Sequence, residues 1–351
     1  MEKRYDNELT PEVREKMKKN TVYIGAFSVA MIFAGLTSAY IVSMGDSFWV
    51  KYNFPPAFYI STVFIILSSI VLQIGVSTSR KSGNPKAAKI AVPLTFLLGL
   101  GFGIYQWIGY GQLVENGAYL SSKITVSTGR YGAYYELKVN DKYMEVDGND
   151  YYIAGKLVTP AQQTTIAQFA KQLEHISKTA PASIKDYGKF KLLYKQQEVS
   201  IKNNHFYIQD SIQLQYVDLI RMEEFSWHLR DERGDFFHKG KYGKDFVIYY
   251  KGKKLDYKNR MLYYNGTKLS APLQLKMDDT ADSSSSYLYI ITFLHLLHIV
   301  GTLIFMFVMS IRSFSGRLEE NSYLSIRVGG IFWHFLGLLW LYLLLFLLFI
   351  H

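Results

Sequence analysis

Three histidines in apolar surroundings are the residues of this chain best placed to do chemistry. His295 and His298 stand three residues apart in one apolar run, and His334 stands between Trp333 and Phe335 in the last one. An ionisable side chain at bilayer depth costs a few kcal/mol on insertion scales, so it marks a functional site by default. At ~1.5 Å of rise per helical residue, His298 lies about 16 Å into its run, and His334 falls at a similar level. Two chemistries are open on spacing alone. Axial haem ligation takes histidines from facing helices; His298 with His334 supplies such a pair, whereas His295 and His298 share one face. The other is structural: neutral, hydrogen-bonded imidazoles that fix helix packing. A proton pathway needs a chain of Asp, Glu or His, and the apolar runs contain no carboxylate.

The elements that position these residues are five apolar runs, at about 21–44, 55–79, 90–112, 287–311 and 328–350, free of Asp, Glu, Lys and Arg. Each meets the ~20 residues that a ~30 Å hydrocarbon core requires. The first is too long for a cleavable signal peptide and is followed by further spans. Lys and Arg in the short connections set the orientation. The N-terminal tail holds Lys3, Arg4, Arg14, Lys16, Lys18 and Lys19; the second-to-third loop holds Arg80, Lys81, Lys86 and Lys89; the fourth-to-fifth holds Arg312, Arg317 and Arg327. The first-to-second loop holds only Lys51, with Asp46 nearby. The expected topology is a multi-pass protein of the cell inner membrane, with a cytoplasmic N-terminus and a periplasmic C-terminus. The net charge of +10 is largely this topogenic excess and does not indicate nucleic acid. There is no cysteine, which rules out disulfides and thiolate metal sites.

Residues 113–286 are too many for a loop and read as an inserted domain. The expected organisation is 1–112 (tail and three helices), 113–286 (a β-rich domain on the outer face) and 287–351 (two helices). In fold class this is an all-α polytopic membrane bundle with an inserted β-rich extracytoplasmic domain. The insert is rich in tyrosine and in alternating patterns, which favour strands. It repeats at about 55 residues, aligning Val139 with Tyr194 and Tyr250, Met144 with Val199 and Leu255, Val146 with Ile201 and Tyr257, and Tyr152 with Tyr207 and Tyr263. Gly148, Asn203 and Asn259 fall at the matching turns. Stacked meanders would bury the aromatic faces. One helix interrupts the pattern: Thr159 caps it, Pro160 takes its first position, and Ile166, Phe169, Ala170, Leu173 and Ile176 share its face. The charge-dense stretch 223–245, with Glu223, Glu224, His228, Asp231, Glu232, Asp235 and His238, has no ligand pair at a recognisable spacing and reads as a solvated loop rather than a metal site, and Asp278 to Ser286 as a linker.

At the histidines the sequence resembles subunit III of the haem–copper oxidases, the cytochrome c oxidase family. Trp333, His334 and Phe335, with Trp340 and Leu341 after them, match the last family helix. Thr292, Phe293, His295 and His298 keep the histidine spacing of the helix before it, without that helix's two glycines. Ser28, Met31, Phe33, Ala34, Gly35, Leu36, Ala39 and Tyr40 resemble its first matching helix; Ser68, Ser69, Leu97, Leu98, Gly99, Leu100 and Gln106 resemble the next two. The resemblance covers the five helices in order, as in the shorter bacterial form. The family carboxylates fall at Val29, Gly109 and Gly337, and the insert has no counterpart.

The resemblance implies a non-redox accessory subunit of a proton-pumping terminal oxidase, which packs on subunit I and supports turnover and proton uptake. No catalytic, cofactor-binding or metal-binding residue is then expected in this chain. Haem and copper are expected in partner subunits, and phospholipid in a cleft between the first two helices and the last three. Ser28, Gly35, Tyr40, His295, His298, Trp333, His334, Phe335 and Trp340 become motif residues with structural roles. Gly25, Ala34, Gly35 and Ala39 on the first helix, with Gly99, Gly101 and Gly103 on the third, allow close helix contact. The insert would meet a cytochrome c domain or an upstream respiratory complex. A transporter, or a haem-binding membrane protein, is the competing expectation.

Overall fold

The computed structural model describes residues 10–82, 86–126, 134–178, 181, 184–315 and 320–351. The basic residues Lys3, Arg4 and Arg317 lie outside them. The chain divides into two compact units: residues 1–43, 54–114 and 286–351 in one, and 44–53 with 115–285 in the other.

The first unit is helical. Its helices are α1 (Pro11–Asp46), α2 (Pro56–Ser82), α3 (Lys86–Glu115), α7 (Ser283–Phe314) and α8 (Glu320–Phe349). Among the described residues these are the five helices long and apolar enough to cross a membrane. Each extends beyond its apolar run because helix-compatible polar residues flank it. Helices α2 and α3 approach closely where glycine leaves room: a side chain at Gly75 would meet Ala91, one at Gly101 would meet Phe64, and one at Gly109 would meet Phe58.

The second unit is sheet-rich and made of a threefold repeat. The first copy is β2 (Tyr135–Val139), β3 (Lys142–Asp147), β4 (Asp150–Ile153) and β5 (Lys156–Leu157), followed by α4 (Pro160–Lys171). The second is β6 (Phe190–Tyr194), β7 (Gln197–Lys202), β8 (His205–Ile208) and β9 (Ile212–Gln213), followed by α5 (Tyr216–Arg230). The third is β10 (Phe246–Tyr250), β11 (Lys253–Lys254), β12 (Asp256–Lys258), β13 (Met261–Tyr264) and β14 (Thr267–Lys268), followed by α6 (Ala271–Asp279). The alignment read from the sequence places equivalent residues at equivalent positions: Val139, Tyr194 and Tyr250 each end the first strand. Each first hairpin turns on two residues of positive φ, Asn140-Asp141, Lys195-Gln196 and Lys251-Gly252, the backbone that matches the twist of the flanking strands. The cap of α4 is as expected: Thr159 Oγ1 accepts from the Gln162 amide, and Gln162 Oε1 accepts from the Thr159 amide (3.0 Å). Sequence reading missed α5 and α6. Helix α5 hides Met222, Phe225 and Leu229 among charges, and its Gln215–Asp218 cap lacks the usual Ser or Thr.

Copies one and two join through their first strands. β2 and β6 pair antiparallel from Tyr135↔Tyr194 to Val139↔Phe190, giving an eight-stranded sheet. The third copy has no fourth to pair with. It takes β1 (Phe48–Tyr52), from the connection between α1 and α2, in the same antiparallel manner from Phe48↔Tyr250 to Tyr52↔Phe246. That connection reads as a short loop in the sequence, yet Phe48, Trp49 and Val50 are fully buried. The segment 278–286 is likewise no free linker. It contains the end of α6 and the start of α7, Asp282, Ser284 and Ser285 are buried, and Ser284 Oγ donates to the Val50 carbonyl (2.7 Å).

Phe48 stacks on Tyr250 at 4.5 Å, so Phe48→Ala should destabilise the sheet-rich unit by about 3–5 kcal/mol. Ile212→Ala, at the exposed far edge of the large sheet, should change it by less than about 0.5 kcal/mol. Near-ultraviolet circular dichroism of the many tyrosines during thermal unfolding checks both.

Candidate functional site: the histidine layer of the helical unit and the buried charges of the sheet-rich unit

In the helical unit, hydroxyls on one helix pair with donors on the next under a common rule. A Ser or Thr hydroxyl in a helix donates to its own backbone carbonyl a turn back. Its lone pairs then remain for a donor on a neighbour. Thr62 Oγ1 donates to the Phe58 carbonyl (2.7 Å) and accepts from Trp340 Nε1 (2.8 Å). Ser68 Oγ donates to the Ile65 carbonyl (2.8 Å) and accepts from Trp333 Nε1 (3.0 Å). Ser61 Oγ, bonded to the Phe58 carbonyl, accepts from Gln106 Nε2 (2.9 Å), and Thr292 Oγ1, bonded to the Leu288 carbonyl, accepts from the Tyr110 hydroxyl (3.2 Å). At the residues next to Ser68 and Trp333, Ser69 Oγ and His334 Nδ1 share a hydrogen bond of 2.5 Å.

The histidines therefore part company. His334 is held against α2. His298 Nδ1 bonds the Leu294 carbonyl of its own helix (2.7 Å). His295 is wholly buried, and neither ring nitrogen has a hydrogen-bond partner among the described residues. It stacks on Trp340 at 5.4 Å, with Phe102 and Phe33 edge-on at 6.0 and 6.2 Å. His334 thus bonds a neighbouring helix, His298 bonds only a carbonyl of its own helix, and the His295 ring packs as an aromatic without a hydrogen bond among the described residues. His298 and His334 do not converge. His298 lines a cleft of about 740 Å³ with Lys18, Thr21, Val22, Phe305 and Phe332, whereas His334 lines a separate groove with Ser69 and Gln73.

The other motif residues take varied places. Tyr40 is buried, its hydroxyl 2.6 Å from His351 Nδ1. Phe335 is half-buried beside Phe332. Ser28 is exposed and bonds only the Ile24 carbonyl (3.0 Å). Gly35, Gly25 and Gly103 have open space where a side chain would stand, so they do not serve close packing; Gly99 does, against Leu303 and Trp333. The grouping of helices also differs from expectation. Helix α2 binds α8 and α3, and the cleft opens between α1 and the α7–α8 pair.

In the sheet-rich unit the stretch 223–245 is not a solvated loop. Glu223, His228, Arg233, Asp235 and His238 are all buried; His228 packs edge-on against Phe237 (5.2 Å) with its Nδ1 unbonded among the described residues, and the other four have partners. Glu223 Oε1 accepts from the Ser177 amide (2.9 Å) and hydroxyl (2.7 Å). Asp235 takes Arg260 Nε (3.0 Å) and Nη2 (2.5 Å). Arg233 pairs with Asp231 (3.1 Å), donates to the Tyr119 hydroxyl, and lies 5.3 Å from the Phe237 ring centre. His238 Nε2 is 3.1 Å from Asp282 Oδ2, which also receives the Ser285 hydroxyl. Burial pushes the Asp282 carboxyl up, but His238 and Ser285 outweigh it and hold it below its ordinary value. No group of three or more metal-ligating side chains occurs among the described residues. Compared with protein-family models, curated proteins and solved structures, the chain matches none.

Three outcomes follow. His295→Leu should change the thermal stability of the helical unit in detergent by less than about 1 kcal/mol, since no hydrogen bond is lost. Trp340→Phe should cost more, by leaving the Thr62 acceptor unmatched. In the sheet-rich unit, burial and then Arg233 push the His228 imidazole down from 6.5 to about 4. Between those values the unfolded chain binds a proton that the folded unit refuses. The unit should keep its full stability above pH 6.5 and lose about 3 kcal/mol of it by pH 4. His228→Gln should flatten that part of a pH series of unfolding midpoints.

Proposed function

We propose that this chain is a five-span, non-redox subunit of a haem–copper terminal oxidase, of the subunit III kind. In this reading α1, α2, α3, α7 and α8 cross the cell inner membrane with the N-terminus in the cytoplasm. The sheet-rich unit lies in the periplasm, and the oxidoreductase activity, oxygen to water, belongs to the assembled complex. The observation that carries the reading is the role of the last helix. The residues on which the resemblance rests most, Trp333, His334 and Trp340, are those that bind α8 to the hydroxyls of α2. A motif that serves bundle construction rather than redox chemistry suits an accessory subunit. His298 and His334 open onto different spaces, an arrangement that favours this reading over a haem held between the two.

The cleft supports the expectation of bound lipid. It is lined by Leu297, Phe305, Val328 and Phe332, with Lys18 among them. An acyl chain against the apolar walls and an anionic headgroup at the lysine would suit that lining. The partners in this reading are oxidase subunit I, other oxidase subunits and membrane lipid. The sheet-rich unit would meet a cytochrome c domain or an upstream respiratory complex.

The experiment is purification of the tagged full chain from native membranes in mild detergent, with a reduced-minus-oxidised spectrum and mass spectrometry. The expected result is co-purifying haem and a subunit I that both leave the chain on denaturation. A colourless chain recovered without oxidase subunits would overturn the proposal.

A further inference from the structure

Two glutamines, each six residues from the end of its apolar run, have opposite surroundings. Gln106 on α3 is fully buried, and its amide donates to Ser61. Gln73 on α2 is exposed, and no hydrogen bond within the described residues takes up its carboxamide. It lies seven residues before Arg80, about 10 Å along the helix axis. Ser69, one turn earlier, is tied to His334. Ser69, Ile70, Gln73, Ile74 and His334 line one open groove of about 350 Å³ on the α2–α8 face.

A carboxamide has two N–H donors and an accepting oxygen. In hydrocarbon these find no partner on an acyl tail, and unmatched polar groups there are costly. The same hydrogen-bonding chemistry joins the helices of this unit to each other: Trp, Gln and Tyr donors, and the His334 imidazole, meet hydroxyls on neighbouring helices. On the groove face the seam continues beyond His334–Ser69 to Gln73, where among the described residues only α2 and α8 line the groove. We propose that the groove is the docking surface for a transmembrane helix of a partner chain, one that brings a polar side chain to hydrogen-bond with Gln73. The inference rests on reading α2 and α8 as membrane spans, and it deepens the proposed function by naming the face on which the neighbouring subunit sits. A shallow, open groove suits a helix better than a small molecule, which binds where most of its surface can be enclosed. Polar side chains are a recurrent means of holding such helices together.

The test uses the full chain in native membranes, with a photo-crosslinking residue in place of Gln73 and, as control, in place of Leu67. Leu67 is an exposed apolar position on another face of α2. The expected result is an adduct at position 73, and none at 67, mapping to a transmembrane segment of a different chain that carries a polar side chain. Lipid adducts alone at both positions, or an adduct to a second copy of this chain, would overturn the proposal. In parallel, Gln73→Leu should lower recovery of that partner about three- to tenfold, and Gln73→Asn should restore part of it; equal recovery with Leu would also overturn it. Because Gln73 is exposed, neither change disturbs the bundle. Oxidase subunits that co-purify without an adduct at position 73 would sink the docking face and leave the proposed function standing. An adduct to a membrane protein of some other complex would do the reverse.

Discussion

The helical unit depends on how hydroxyls in an apolar bundle are used. A serine or threonine on a helix can give its proton to its own backbone, which removes one unmatched donor at little cost. What remains facing outward is an acceptor. Only a neighbour with a spare N–H or O–H can satisfy it, so α2 selects tryptophan indoles from α8 and an amide from α3. On α2 Ser68 and Ser69 stand six and seven residues after Thr62; on α8 Trp333 and His334 stand seven and six residues before Trp340. The two series run antiparallel, with Thr62 opposite Trp340 and Ser68–Ser69 opposite Trp333–His334. That spacing keeps the contacts on one face of each helix. Once this seam is fixed, Phe102 and His295 fill the space beside Trp340.

The sheet-rich unit solves a different problem. A repeat of short strands leaves an open first strand in each copy, and open edges invite wrong pairing. Copies one and two close on each other. The odd third copy is completed by five residues from a distant part of the chain, so this unit comprises 44–53 as well as 115–285. The crossing points are secured in the same region. The Asn53 amide donates to the Asp245 carbonyl (3.3 Å), the Lys239 amide to the Asn116 carbonyl (2.9 Å), and His238 holds Asp282. Three of the segments that pass between the units are thereby pinned within the sheet-rich unit around residues 238–245.

Charge within that unit shows why residue type is a poor guide to exposure when partners are distant in sequence. Glu223 finds Ser177, 46 residues away, and Asp235 finds Arg260, 25 residues away. A run such as Glu223–Asp245 looks solvated because the partners of Glu223 and Asp235 lie outside it. Burial becomes affordable only when the fold brings the partner, and His228 then pays with a depressed proton affinity.

What the sequence determined by itself were the features set by local physics. Uninterrupted apolar length determined the five long helices. Turn residues at Gly148, Asn203 and Asn259 and alternation around them determined the three meanders. Thr159 and Pro160 determined the start of α4. Tertiary structure alone decided which polar groups meet. It separated His298 from His334 onto different spaces, left His295 without a hydrogen bond, left Gly35 without a neighbour, and recruited Phe48–Tyr52 into a sheet nearly two hundred residues away. Helical periodicity places a residue on a face of its own helix. The identity of the group across from it depends on which helix or strand packs there, and no local pattern encodes that choice.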